Sequence, residues 1–102
     1  MIINEDVKLI HGDCLEVMKS IPDGSVDLIL CDLPYGTTRN KWDSVIPFDK
    51  LWAEYKRLCS GAVVLTAAQP FTSALIMSNL SWFKQSLVWK KNIASNFLNA
   101  NR

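Results

Sequence analysis

The run Val26-Asp27-Leu28-Ile29-Leu30-Cys31 is apolar at every position but one, and it stops abruptly at Asp32-Leu33-Pro34-Tyr35-Gly36. A short apolar run of this kind reads as a strand buried on both faces, and such strands belong to parallel sheets flanked by helices. Pro34 and Gly36 end the run in a rigid turn. In open α/β sheets, ligands bind just beyond the carboxyl ends of the strands. This corner therefore delivers a carboxylate (Asp32), a fixed turn and an aromatic face (Tyr35) to the place where chemistry usually sits.

The remaining chain reads as scaffolding around that corner. Val7-Lys8-Leu9-Ile10-His11 reads as a first strand, broken by Gly12-Asp13. Asp13 with Glu16 three residues later looks like a capping box that opens a helix from Cys14 to about Ser20. Pro22-Asp23-Gly24-Ser25 is a turn. Residues 37–45 are polar and read as a loop containing Arg39, Lys41, Trp42 and Asp43. Pro47 suits the first turn of a second helix, on which Phe48, Leu51, Trp52, Tyr55 and Leu58 share one face. Lys56 and Arg57 favour its C-terminal end, and Gly61 is a natural cap beyond it. A third strand is predicted over 62–66, apolar on both faces. A third helix starts at Pro70 and carries Phe71, Leu75, Ile76 and Leu80. Residues 86–90 read as a fourth strand, and the Asn-rich tail that follows has no end signal. The alternation of strands and helices argues an α/β fold with a parallel, doubly wound sheet.

Composition narrows the class. A chain of 102 residues allows one small domain, and 49% hydrophobic residues suffice for a core. A net charge of +1 gives no argument for nucleic acid or membrane, no apolar run approaches a membrane span, and no signal-peptide pattern is present. Cys14, Cys31 and Cys59 lack metal-ligand spacing and read as reduced, structural thiols in a cytoplasmic setting, so no metal site is expected. A phosphate loop would need Gly-Lys-Ser/Thr, and a dinucleotide site would need closely spaced glycines; the only glycines are 12, 24, 36 and 61. The one histidine, His11, reads as structural rather than as a member of a triad.

Asp32-Leu33-Pro34-Tyr35 resembles the Asp/Asn/Ser-Pro-Pro-Tyr/Phe/Trp signature of the amino-methyltransferases that modify adenine or cytosine in DNA. The similarity extends to Gly12-Asp13-Cys14-Leu15, to Asp23-Gly24-Ser25-Val26-Asp27-Leu28, and to Gly36-Thr37-Thr38 with Trp42-Asp43. It continues through Phe71-Thr72-Ser73 to Val88-Trp89-Lys90-Lys91. It thus covers most of the chain and looks like the phage and restriction-modification branch of the family. The tetrapeptide alone is a weak signal; with its flanks it is fairly specific. Leu33 stands where the signature usually has Pro, a position that would contribute mainly a backbone carbonyl, so Leu is expected to be tolerated.

This resemblance implies a Rossmann-like, mostly parallel methyltransferase sheet that uses S-adenosylmethionine (S-adenosyl-L-methionine), whose sulfonium charge makes its methyl group electrophilic. It implies double-stranded DNA as partner, with the target base flipped out of the helix. Asp32 and the Leu33 carbonyl would accept the two N–H groups of an exocyclic base nitrogen, Pro34 would fix the turn, and Tyr35 would stack on the base. Asp13 and Cys14 would lie beside the cofactor's adenine; for Asp13, capping alone is the competing reading, and the two are compatible. Arg39 and Lys41 would touch phosphates, against the plainer reading of a solvated loop. Trp52, Tyr55, Trp82 and Trp89 read as packing residues.

The Phe-x-Gly-x-Gly cofactor loop and the target-recognition region of the family are not in the sequence. The chain is therefore expected to be the N-terminal portion of a catalytic domain, incomplete and inactive by itself, which self-associates or is completed by another chain. Of the strands, those over 26–31 and 62–66 are expected to keep their usual neighbour. Two other readings stay open: a non-catalytic remnant or interaction module, and a methyltransferase acting on RNA or protein glutamine. Adenine against cytosine, and the recognition sequence, also stay open.

Overall fold

A computed structural model describes residues 2–4, 6–36 and 43–90. The elements are β1 (Ile2–Asn4), β2 (Val7–Lys8), α1 (Cys14–Met18), β3 (Val26–Cys31), α2 (Phe48–Leu58), β4 (Cys59–Leu65), α3 (Phe71–Ser78) and a short 3₁₀ turn at Leu80–Trp82. The centre of the fold is the parallel pair β3–β4, with Leu28 opposite Ala62, Ile29 opposite Val63, Leu30 opposite Val64 and Cys31 opposite Leu65. These are the two strands expected to keep each other as neighbours, and α2 is the crossover between them.

Helix α2 forms where the apolar spacing says it should. Leu51, Tyr55 and Leu58 are its buried positions, four and three residues apart, with Lys56 and Arg57 in its last turn. Its end differs from the sequence reading. Cys59 adopts an extended conformation and its N–H donates to Tyr55 O, so the helix passes straight into β4 without a left-handed cap. Gly61 therefore lies inside the strand. Between the pairs Val26/Cys59 and Leu28/Ala62, β3 advances by two residues and β4 by three, so β4 bulges there. A Cβ on Gly61 would clash with the Asp27 carbonyl oxygen. The glycine is there for this close backbone approach, one of the two uses of glycine in strands.

Helix α1 is shorter than predicted. Asp13 caps it, and the Lys19, Ser20 and Ile21 N–H groups turn back to Glu16, Val17 and Met18 carbonyls, closing it in tight i→i−3 turns. Arg57 braces this end. Its Nη2 donates to Met18 O and Glu54 Oε2, both at 2.7 Å, and its Nη1 to Ile21 O at 2.8 Å and Asp23 Oδ1 at 2.7 Å. Glu54 and then Asp23 push the guanidinium's pKa further up. One side chain thus satisfies two helix-end carbonyls and ties the turn before β3 to α2.

The core is Leu33, Leu51, Tyr55, Phe71 and Leu75, with Met18, Ile29, Cys31, Val63 and Leu65 packed against it. All three helices contribute to this one core, so they cover a single face of the β3–β4 sheet. The alternating residues Leu28, Leu30 and Val64 point the other way and are exposed, Leu30 at 72%. The expectation of a doubly wound sheet is corrected here: among the described residues nothing covers the second face.

Two predicted strands are also corrected. Residues 7–11 do not form a parallel strand; only Val7–Lys8 is a strand, and it pairs antiparallel with β1. An antiparallel pair needs only a short connection, whereas a parallel one needs a crossover and a waiting edge. Residues 86–90 carry no regular structure, and Leu87, Val88 and Trp89 are exposed, Val88 at 93%. Among the described residues their β-forming composition has no strand edge beside it, and strand propensity is realised only against a neighbour. Trp89 is 79% exposed. Trp52 and Trp82 do pack, edge to face at 5.8 Å, and Trp52 Nε1 donates to Ser78 Oγ at 2.8 Å. Among the described residues no helix is long and apolar enough to cross a membrane.

Candidate active site

The corner leaves β3 at its carboxyl end. The ladder runs one step past the strands, because Thr66 N–H donates to Cys31 O at 3.1 Å. That contact sets Thr66 beside Asp32, and the Thr66 hydroxyl donates to Asp32 Oδ1 at 2.5 Å. Asp32 is exposed, so its Oδ2 remains available. Leu33 turns inward and is 5% exposed, a full member of the core. The Leu33 side chain is what anchors the corner. Pro34 is half-buried. Tyr35 is half-buried with its ring stacked on Phe71, centroids 5.0 Å apart, and Phe71 in turn meets Phe48 at 5.8 Å.

Gly36 closes the turn at φ 74°, in the left-handed region, and its N–H donates to Oδ1 of the buried Asp43 at 3.0 Å. The chain thus returns at Asp43 to the point it left at Gly36. Arg39 and Lys41 lie outside the described residues.

A cavity of about 400 Å³ opens beside the corner. Its lining includes Cys14 and Met18 from α1, Ile29 and Cys31 from β3, Tyr55 and Leu58 from α2, and Asp32, Leu33 and Pro34. Of the predicted site residues, the fold therefore brings Cys14, Asp32, Leu33 and Pro34 to one cavity, while Tyr35 lies on the α3 side of the corner. Asp13 sits next to Cys14 and spends Oδ1 on the N–H groups of Leu15 and Glu16, at 3.0 and 3.4 Å. It is exposed, which leaves its other oxygen open to a ligand. Burial pushes the Cys14 thiol up, and the neighbouring Asp13 carboxylate and Cys31 add to this. Burial likewise raises the Tyr55 phenol, reinforced by its hydrogen bond with Cys31. The cavity wall thus favours neutral groups, with the Asp32 carboxylate on its margin. Among the described residues no cluster of His, Cys, Asp or Glu could hold a metal ion.

Sequence reasoning missed Thr66, Phe71 and Asp43. Thr66 could have been found from register: once 26–31 and 62–66 are parallel neighbours, the residue ending the second stands beside the residue after the first. Phe71 and Asp43 were read only as residues of a helix, a loop and the motif flanks, and their contacts with Tyr35 and Gly36 had no such signal, since each acts across a loop.

Over 51 residues, half of its length, the chain is 45% identical to the DNA adenine methyltransferase YhdJ of Escherichia coli (strain K12). Over an alignment of 118 positions covering 87% of the chain, it is 28% identical to the type II methyltransferase M.HinfI of Haemophilus influenzae. The chain is similar to methyltransferases. It spans 16% of the length of the first of these methyltransferases and 33% of the second. No family model and no solved structure matches it.

Proposed function

We propose that the chain carries the catalytic corner of a DNA amino-methyltransferase with a Rossmann-like sheet, which methylates an exocyclic base nitrogen with S-adenosylmethionine as donor. The observation that carries this reading is the joint delivery of a carboxylate, a backbone carbonyl and an aromatic ring from one strand end, in a chain similar to methyltransferases. The name of the 45% identical relative favours adenine as the target base.

The residues present fit this chemistry. An exocyclic base nitrogen is a poor nucleophile because its lone pair is delocalised into the ring. Asp32 Oδ2 and the Leu33 carbonyl accept its two N–H groups and favour a more tetrahedral nitrogen whose lone pair is free. Oriented acceptors of this kind act where charge develops, which is where catalysis gains most. When bound, the cofactor would supply the methyl group, its S–CH3 bond breaking as the N–CH3 bond forms and leaving a neutral thioether. Transfer to nitrogen releases one proton, which the Asp32 carboxylate or the adjoining solvent takes. Tyr35, held from one side by Phe71, offers a ring on which an extruded base stacks, a contact worth about 1–3 kcal/mol at comparable sites. Asp13 and Cys14 fit the adenine end of the cofactor: the open Asp13 oxygen accepts from an amino group, and the apolar cavity beside Cys14 accepts the ring.

The chain forms part of such a domain, in keeping with the exposed Leu28, Leu30 and Val64 and with the small share of its relatives that it spans.

The test is transfer of labelled methyl groups to duplex DNA by the protein expressed from its complete reading frame. Asp32→Ala is expected to abolish transfer while leaving DNA affinity largely intact, because affinity comes mostly from phosphate contacts. Turnover near that of the wild type in Asp32→Ala would refute the assignment, and label in RNA or protein instead of DNA would redirect it.

A further inference from the structure

We propose that Thr66 is a positioning residue for Asp32, fixing which carboxylate oxygen faces the target nitrogen; this rests on the amino-methyltransferase reading above. An aspartate carboxylate is aimed by χ1, with its staggered wells, and its two oxygens exchange by rotation about χ2, a broad and roughly two-fold torsion; a hydrogen bond to one oxygen restrains both. On an exposed side chain, water competes for both. The Thr66 hydroxyl removes that freedom by donating to Oδ1 at 2.5 Å, the short distance of an O–H donated to a carboxylate.

Thr66 is itself fixed. Its N–H is bound to Cys31 O at 3.1 Å, in line with the Cys31/Leu65 pair of the ladder. Its β-branched side chain has few χ1 choices. The hydroxyl is thus carried by the sheet and not by a loop, and it reaches Asp32 across 34 residues of sequence. With Oδ1 engaged, Oδ2 alone is left to accept from the base, in one direction relative to the Leu33 carbonyl. Without the hydroxyl the carboxylate samples several orientations, and a misplacement of this order costs catalysis while leaving binding untouched.

Thr66→Val removes the hydroxyl and keeps the shape; Thr66→Ser keeps the hydroxyl and loses a methyl group. Two readouts are taken on the protein expressed from its complete reading frame: steady-state methyl transfer to duplex DNA, and the Hα–Hβ coupling constants of Asp32 by NMR. Thr66→Val is expected to lower kcat by about tenfold or more with KM for DNA within about twofold of wild type. In the same variant the Asp32 couplings move from those of one rotamer to an average, and Thr66→Ser restores both readouts. If Thr66→Val does not fold, Thr66→Ala makes the same comparison. Normal kcat in Thr66→Val, unchanged couplings, or Thr66→Ser as impaired as Thr66→Val would each overturn the role of Thr66. Methyl transfer by Asp32→Ala overturns the proposed function itself, so the two failures are told apart.

Discussion

At the scale of single residues, the corner has two kinds of anchor. Leu33 and Phe71 are held by burial, Asp32 and Gly36 by hydrogen bonds to Thr66 and Asp43. Tyr35 lies between the two kinds, with one ring face on Phe71. Both its packing and its proposed stacking need the ring and not the hydroxyl. Tyr35→Phe is therefore expected to keep methyl transfer within about twofold of wild type, and Tyr35→Ala to lose it by about tenfold or more. If Phe is as damaging as Ala in the same assay, the hydroxyl matters and the stacking role is wrong. The aromatic and the acid were legible in the sequence because a strand end followed by Pro and Gly is a strong local signal. The inward turn of Leu33 was not. A residue between an exposed acid and a proline has no periodicity to say which way it points, and only the core formed by α2 and α3 decides it.

At the scale of elements, legibility followed the source of the signal. β3 was read with the bounds it has, from an apolar run between two breakers, and the buried face of α2 from its own period, while the end of α2 was placed too late, at Ser60-Gly61. Gly61 was read as a helix cap because glycine after a helix usually is one. Its real reason is a contact with Asp27, across 34 residues of sequence, which no local pattern encodes. Gly61→Ala tests this directly. The added Cβ meets backbone and cannot swing aside, so β3 and β4 must part at the bulge. Overpacking of this kind costs about 1–3 kcal/mol, and the variant is expected to unfold at a temperature several degrees lower. A midpoint equal to that of the wild type would contradict the observed register. The strand predicted over 86–90 failed for the complementary reason: composition announces a strand, but a strand exists only where an edge receives it.

At the scale of the whole molecule, the described residues fold around one covered sheet face and leave the other bare. Exposed Leu28, Leu30 and Val64, with open strand edges on either side of the described pair, are the features that drive association. The 102-residue chain by itself is expected to self-associate as concentration rises. Sedimentation should show this, with Leu30→Glu shifting the population toward monomer. A wild-type chain that stays monomeric at high concentration would mean that the face is covered by sequence outside the described residues. The proposed chemistry rests on Asp32 and the Leu33 carbonyl acting together on an exocyclic amino nitrogen. The most direct measurement is to treat duplex DNA with the protein from its complete reading frame and labelled S-adenosylmethionine, digest the product to nucleosides, and locate the label by mass spectrometry. Methyl is expected on the exocyclic nitrogen, N6 of adenine or N4 of cytosine, with none in Asp32→Ala; methyl on a ring carbon, or unlabelled DNA with an active cofactor present, would refute the role of Asp32 and Leu33.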